Sequence, residues 1–133
     1  MLECLILGDS IAKGISQFRK ECAAYVEVGA NSRGWNNRFI SKVAPNPAKT
    51  VIISLGSNDY EQLNTEVELL ALRSRVNSDN VYWIVPAINP AKQEIVKNIA
   101  SQFGDAYVIL TKLSPDKIHP TSQGYKALGD MLK

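Results

Sequence analysis

The sequence predicts an α/β fold in which helices cover both faces of a parallel sheet. Two observations carry this. Five short apolar runs alternate with five helical patterns. The runs are nearly continuous in Val, Ile, Leu and aromatic residues, as in strands buried on both faces, rather than alternating apolar with polar. A length of 133 residues predicts one domain spanning 1–133, large enough to bury about two-thirds of its unfolded surface.

The elements follow in order. Leu2–Leu7 is the first strand, followed by Ile11, Ile15 and Phe18 at i, i+4, i+7. Ala24–Val28 is the second strand, followed by a stripe of Trp35, Phe39, Ile40 and Val43. Val51–Leu55 is the third. The next helix starts at Thr65, where Thr65-Glu66-Val67-Glu68 fits a capping box. Val81–Val85 is the fourth strand. Asn89-Pro90 then suits an N-cap and first helical residue, Ile95, Val96, Ile99 and Phe103 form the stripe, and Gly104 closes the helix. Tyr107–Leu110 is the fifth strand, and Tyr125, Leu128 and Leu132 mark the last helix. Strand–helix–strand units of this kind cross over right-handed. No repeat or linker interrupts the chain, and Pro45-Asn46-Pro47 reads as a loop within the domain.

Composition narrows the function. Apolar residues at 45% and charged residues at 21% are ordinary for a globular chain and exclude disorder, collagen and coiled coil. A net charge of +2 gives no expectation of nucleic acid or an anionic membrane as partner. No apolar stretch is long enough for a membrane span. The N-terminus carries no secretory signature, so the chain as written reads as cytoplasmic, with a mature secreted form left open. Cys4 and Cys22 make neither a disulfide framework nor a zinc spacing and read as core or near-core thiols with no assigned role. A single histidine, His119, is too few for a histidine-based metal site. Gly29 and Gly34 have phosphate-loop spacing, but Trp35-Asn36 follows instead of Lys-Ser/Thr. Gly-x-Gly-x-x-Gly and Gly-x-Ser-x-Gly are both absent. Trp35 and Trp83 fall in core patterns rather than on a carbohydrate surface.

In open α/β sheets the site lies beyond the carboxyl ends of the strands. There the sequence sets Gly8-Asp9-Ser10 after the first strand, Gly29 after the second and Gly56-Ser57-Asn58-Asp59 after the third. Asp116-Lys117-Ile118-His119-Pro120 lies before the last helix. Ser10 opens a helix, where free N–H groups favour an anion; taken alone it reads more readily as a plain helix cap. A serine hydroxyl needs a base, and His119 is the only imidazole present. Pro120 keeps His119 extended and out of the helix. A carboxylate such as Asp116 would fix its tautomer. Gly29, lacking Cβ, and Asn58, with a side-chain amide, are suited to stabilise an oxyanion, although each also suits a turn.

Together these blocks resemble the SGNH, or GDSL, hydrolases, in family order and over nearly the whole chain. His119-Pro120-Thr121-Ser122-Gln123-Gly124-Tyr125 is especially similar to the family's last block. The resemblance implies a flavodoxin-like three-layer sandwich with five parallel strands in order 2-1-3-4-5. It implies Ser10 as nucleophile, His119 as base, Asp116 as third member, and Ser10 N–H, Gly29 N–H and the Asn58 side chain as oxyanion hole. Asp9 and Asp59 match motif positions and are expected to shape loops. The implied activity is that of an esterase, lipase, deacetylase or acyltransferase, with neither cofactor nor metal. The chain is short for the family, and its minimal loops leave little for a lid. They point to a shallow site taking a small acyl ester such as acetyl on a bulky alcohol, an acetylated sugar among the candidates. A non-catalytic binding or assembly module on the same scaffold is the alternative.

Overall fold

The computed structural model describes all 133 residues. Five strands, β1 (Leu2–Gly8), β2 (Ala23–Val26), β3 (Ala48–Ser54), β4 (Val81–Val85) and β5 (Ala106–Ile109), form one parallel sheet in the order β2-β1-β3-β4-β5. Five helices connect and follow them: α1 (Ser10–Ser16), α2 (Ser32–Phe39), α3 (Thr65–Arg73), α4 (Pro90–Phe103) and α5 (Ser122–Met131). The expected class and strand order are therefore present.

Alternate residues of the central strands face opposite layers. Leu5, Leu7, Val51, Ile53 and Trp83 pack with Trp35 of α2, Leu69 and Leu72 of α3, and Val96 and Ile99 of α4. Ile6, Ile52 and Ile84 pack with Ile11 and Ile15 of α1 and Leu128 of α5, with Leu132 just beyond it. Two apolar cores thus flank the sheet, and α1 lies beside α5 on one face. Trp35 and Trp83 are wholly buried, as expected.

The close packing of α1 against α5 depends on Gly14. A Cβ there would lie 2.3 Å from the Tyr125 ring. Arg19, buried just beyond α1, donates to Gly129 O at 3.2 Å and Leu132 O at 2.6 Å, satisfying carbonyls at the end of α5.

Several local expectations are corrected. The Trp35–Val43 stripe is not one helix: α2 ends at Phe39 and a tight 3-10 turn follows over Ile40–Lys42. β2 stops before Val28, which is exposed. β5 is an edge strand whose Tyr107 and Ile109 face solvent, so continuous apolar character did not mean two buried faces. The cap of α3 is Asn64, whose side chain accepts from Val67 N–H, and not Thr65.

The cysteine expectation also fails: Cys4 and Cys22 are joined in a disulfide, with Cα atoms 4.7 Å apart. The cause is register. Leu5 pairs with Ala23 across β1 and β2, so the residues immediately before them are neighbours. The spacing of 18 residues gives no hint of this until strand adjacency is known.

Candidate active site

Ser10 is delivered by the β1–α1 turn. At Gly8 φ is +141°, and a Cβ would sit 1.9 Å from Ser54 O, so glycine alone allows β1 to turn against β3. Asp9 N–H donates to Ser54 O at 3.0 Å. The helix cap is Asp9, not Ser10: Asp9 Oδ1 accepts from Ile11 N–H at 3.0 Å and from Ser54 Oγ at 3.1 Å. Ser10 is therefore the first helical residue, its hydroxyl free of capping and its N–H without a carbonyl one turn back. Asp9 is fully buried and its Oδ2 has no hydrogen-bond partner. Burial pushes its carboxyl up to about 6, against the pull of the bonds from Ile11 and Ser54.

His119 approaches from the loop between β5 and α5. Ser10 Oγ and His119 Nε2 are 2.8 Å apart. His119 Nδ1 and Asp116 Oδ2 are 2.7 Å apart. A carboxylate acceptor on Nδ1 places the ring proton there and leaves Nε2 to accept from the serine hydroxyl. Asp116 also holds its own loop: Oδ1 accepts from Ile118 N–H at 2.9 Å and His119 N–H at 3.0 Å. The His119 amide, followed by the Ile118 amide and the imidazole, keeps this carboxyl well below the usual carboxylate range. Ser114, which the sequence reading missed, adds a hydroxyl 3.0 Å from Asp116 Oδ1 and 2.8 Å from His119 O. A backbone bond from Ser114 N–H to His119 O closes the loop.

The other two expected site residues lie on adjoining loops. Gly29 is exposed, with φ +77°, and its N–H makes no hydrogen bond. Asn58 Nδ2 donates to Ala30 O at 3.1 Å. A side-chain amide carries two N–H donors, so one remains. Asp59 shapes the loops, as expected: Oδ1 accepts from Ser32 N–H at 2.7 Å and Oδ2 from Thr65 Oγ at 2.7 Å. None of the surface concavities is lined by Ser10, His119 or Asp116. The side chains of His119 and Asp116 are 39% and 47% exposed.

No protein-family model matches the sequence, and no curated protein matches it. Solved structures do. A GDSL-like lipase from Bacteroides thetaiotaomicron aligns with TM-score 0.68 at 17% identity, covering 96% of this chain and 83% of that one. Axe2, an acetylxylan esterase from Geobacillus stearothermophilus solved as a catalytic mutant, aligns at 0.67 and 16%, covering 96% and 90%. The acetyl xylan esterase AlAXEase aligns at 0.68 and 14%, covering 96% of both chains. The fold is that of the SGNH/GDSL hydrolases.

Proposed function

We propose that this protein is a serine ester hydrolase that removes a small acyl group, acetyl foremost, from a bulky alcohol such as a sugar. One observation carries the reading: an unbroken line of hydrogen bonds from Asp116 through His119 to Ser10. A bland cap at Ser10 or a solvated loop histidine requires no such line, and neither does a binding module. The half-exposed side chains of His119 and Asp116 and the acetyl xylan esterases among the similar structures support a small acyl group on a large alcohol.

In the proposed reaction His119 Nε2 takes the Ser10 proton as Oγ attacks the ester carbonyl. The oxyanion is held by Ser10 N–H, Gly29 N–H and the second Asn58 N–H. His119 then protonates the leaving alcohol. Water enters and loses a proton to His119 as it attacks the acyl carbon; His119 returns that proton to Ser10 Oγ as the acid leaves. A sugar hydroxyl in place of water would make the same machinery an acyltransferase. The disulfide bears on location: such bonds persist in oxidising compartments, which favours the secreted alternative over the cytoplasmic one.

The test is hydrolysis of p-nitrophenyl acetate by wild type and Ser10→Ala. The reading requires wild-type turnover and a fall of about 10⁴–10⁶ in the variant. Equal background rates would contradict it.

A further inference from the structure

We propose that Lys92, acting through Thr65 and Asp59, is a positioning residue for the oxyanion donors; this rests on the serine-hydrolase reading above. Lysine is almost never fully buried unless paired. Lys92, in the first turn of α4, is only 9% exposed and forms no direct ion pair. Its ammonium donates to Thr65 Oγ at 2.8 Å.

The direction of the remaining bonds follows from donor inventory. An ammonium can only donate, so the Thr65 oxygen accepts from it and spends its single proton on Asp59 Oδ2. Asp59 accepts there and, through Oδ1, from Ser32 N–H. The relay therefore runs one way, from a buried cation to an anion, and ends on the first residue of α2. It crosses from α4 to α3 to the loop after β3 and on to α2, joining elements far apart in sequence.

Its endpoint is what assigns the role. Asn58 precedes Asp59, and its side chain is fixed to Ala30 O, next to Gly29. Two bonds, Asp59 to Ser32 and Asn58 to Ala30, tie together the loops bearing two of the proposed oxyanion donors. Lys92 and Thr65 stiffen the first of these bonds. Donors act on a developing charge only at close, fixed range, and a small misplacement is costly in rate.

The experiment compares Thr65→Val, Thr65→Ser and Lys92→Met. It measures kcat and KM on p-nitrophenyl acetate, thermal stability, and the NMR signals of Ser32 N–H and the Asn58 side-chain amide. Thr65→Val keeps the shape and loses the hydroxyl. It should lower kcat about tenfold with KM within about twofold and shift both amide signals. Thr65→Ser restores the bond and should restore both readouts. Lys92→Met should follow Thr65→Val. Unchanged kcat and unchanged amide signals in a folded Thr65→Val would overturn the proposal. So would a loss of stability alone, or no rescue by serine. If wild type has no esterase activity, the catalytic reading fails separately, and the proposal for these residues is then overturned as a catalytic role; unmoved amide signals would overturn its structural basis as well.

Discussion

The two halves of the Ser–His pair are held by opposite means. Ser10 stands on a turn built into the core: Asp9 beside it is wholly buried, Gly8 is pressed against β3, and α1 packs its apolar side on the sheet. His119 stands on a largely exposed loop that Asp116 holds by four hydrogen bonds. Ser10 is thus fixed by tertiary packing and His119 by local polar contacts. Disturbing the first half should register in stability, and disturbing the second in rate.

Within the loop half, Asp116→Asn separates rate from stability most cleanly. The amide keeps an acceptor for the Ile118 and His119 N–H groups but cannot serve the imidazole in the same way. Turnover should fall by about 10³–10⁴ while the unfolding temperature changes little. A loss of fold instead would break the comparison. Asn58→Ala, on the loop after β3, should cost about 10²–10³ in kcat, read on the same ester.

The core half should answer in free energy of unfolding. The Cys4–Cys22 disulfide closes a loop of 18 residues between β1 and the start of β2. Replacing both cysteines by alanine should lower stability by about 3 kcal/mol in denaturant titration, the loop-entropy value for this length. Ser10 should remain reactive below the new midpoint.

Asp9 sharpens the contrast through pH. Its folded carboxyl lies at about 6 against an ordinary 3.8, so the folded state holds the proton more tightly than the unfolded chain. Below 3.8 both states are protonated and nothing is lost. As pH rises through the interval, the unfolded state ionises first and stability falls, the loss being complete above about 6. The total is about 3 kcal/mol. Asp9→Asn keeps a cap acceptor and cannot titrate. The stability of wild type relative to this variant should therefore decline across that interval and then level off. A flat difference would contradict the burial argument.

Much of this was legible in sequence, for identifiable reasons. The strands were found where both faces are buried, as at β1, β3 and β4, although β3 begins at Ala48 rather than Val51 and ends at Ser54 rather than Leu55. They misled at the edge, where β5 keeps apolar residues toward solvent. That Ser10, Asp116 and His119 come together was legible because their motifs sit at strand ends and the lone histidine leaves one candidate partner for Ser10. The disulfide was missed because it depends on register between neighbouring strands. Thr65 was misread as a cap because its hydroxyl turns to Asp59, a partner six residues back that local pattern does not reveal. Lys92 gave no signal at all: its burial is set by the packing of α4 beside α3, and a lysine in a first turn looks solvated in sequence.

The most direct test of the central claim is covalent. A fluorophosphonate probe should add one equivalent to the wild-type chain, and peptide mapping should find the mass on Ser10, with labelling lost in His119→Ala. A folded protein that takes no label, or is labelled elsewhere, would contradict the assignment of Ser10 and His119 as a working nucleophile and base.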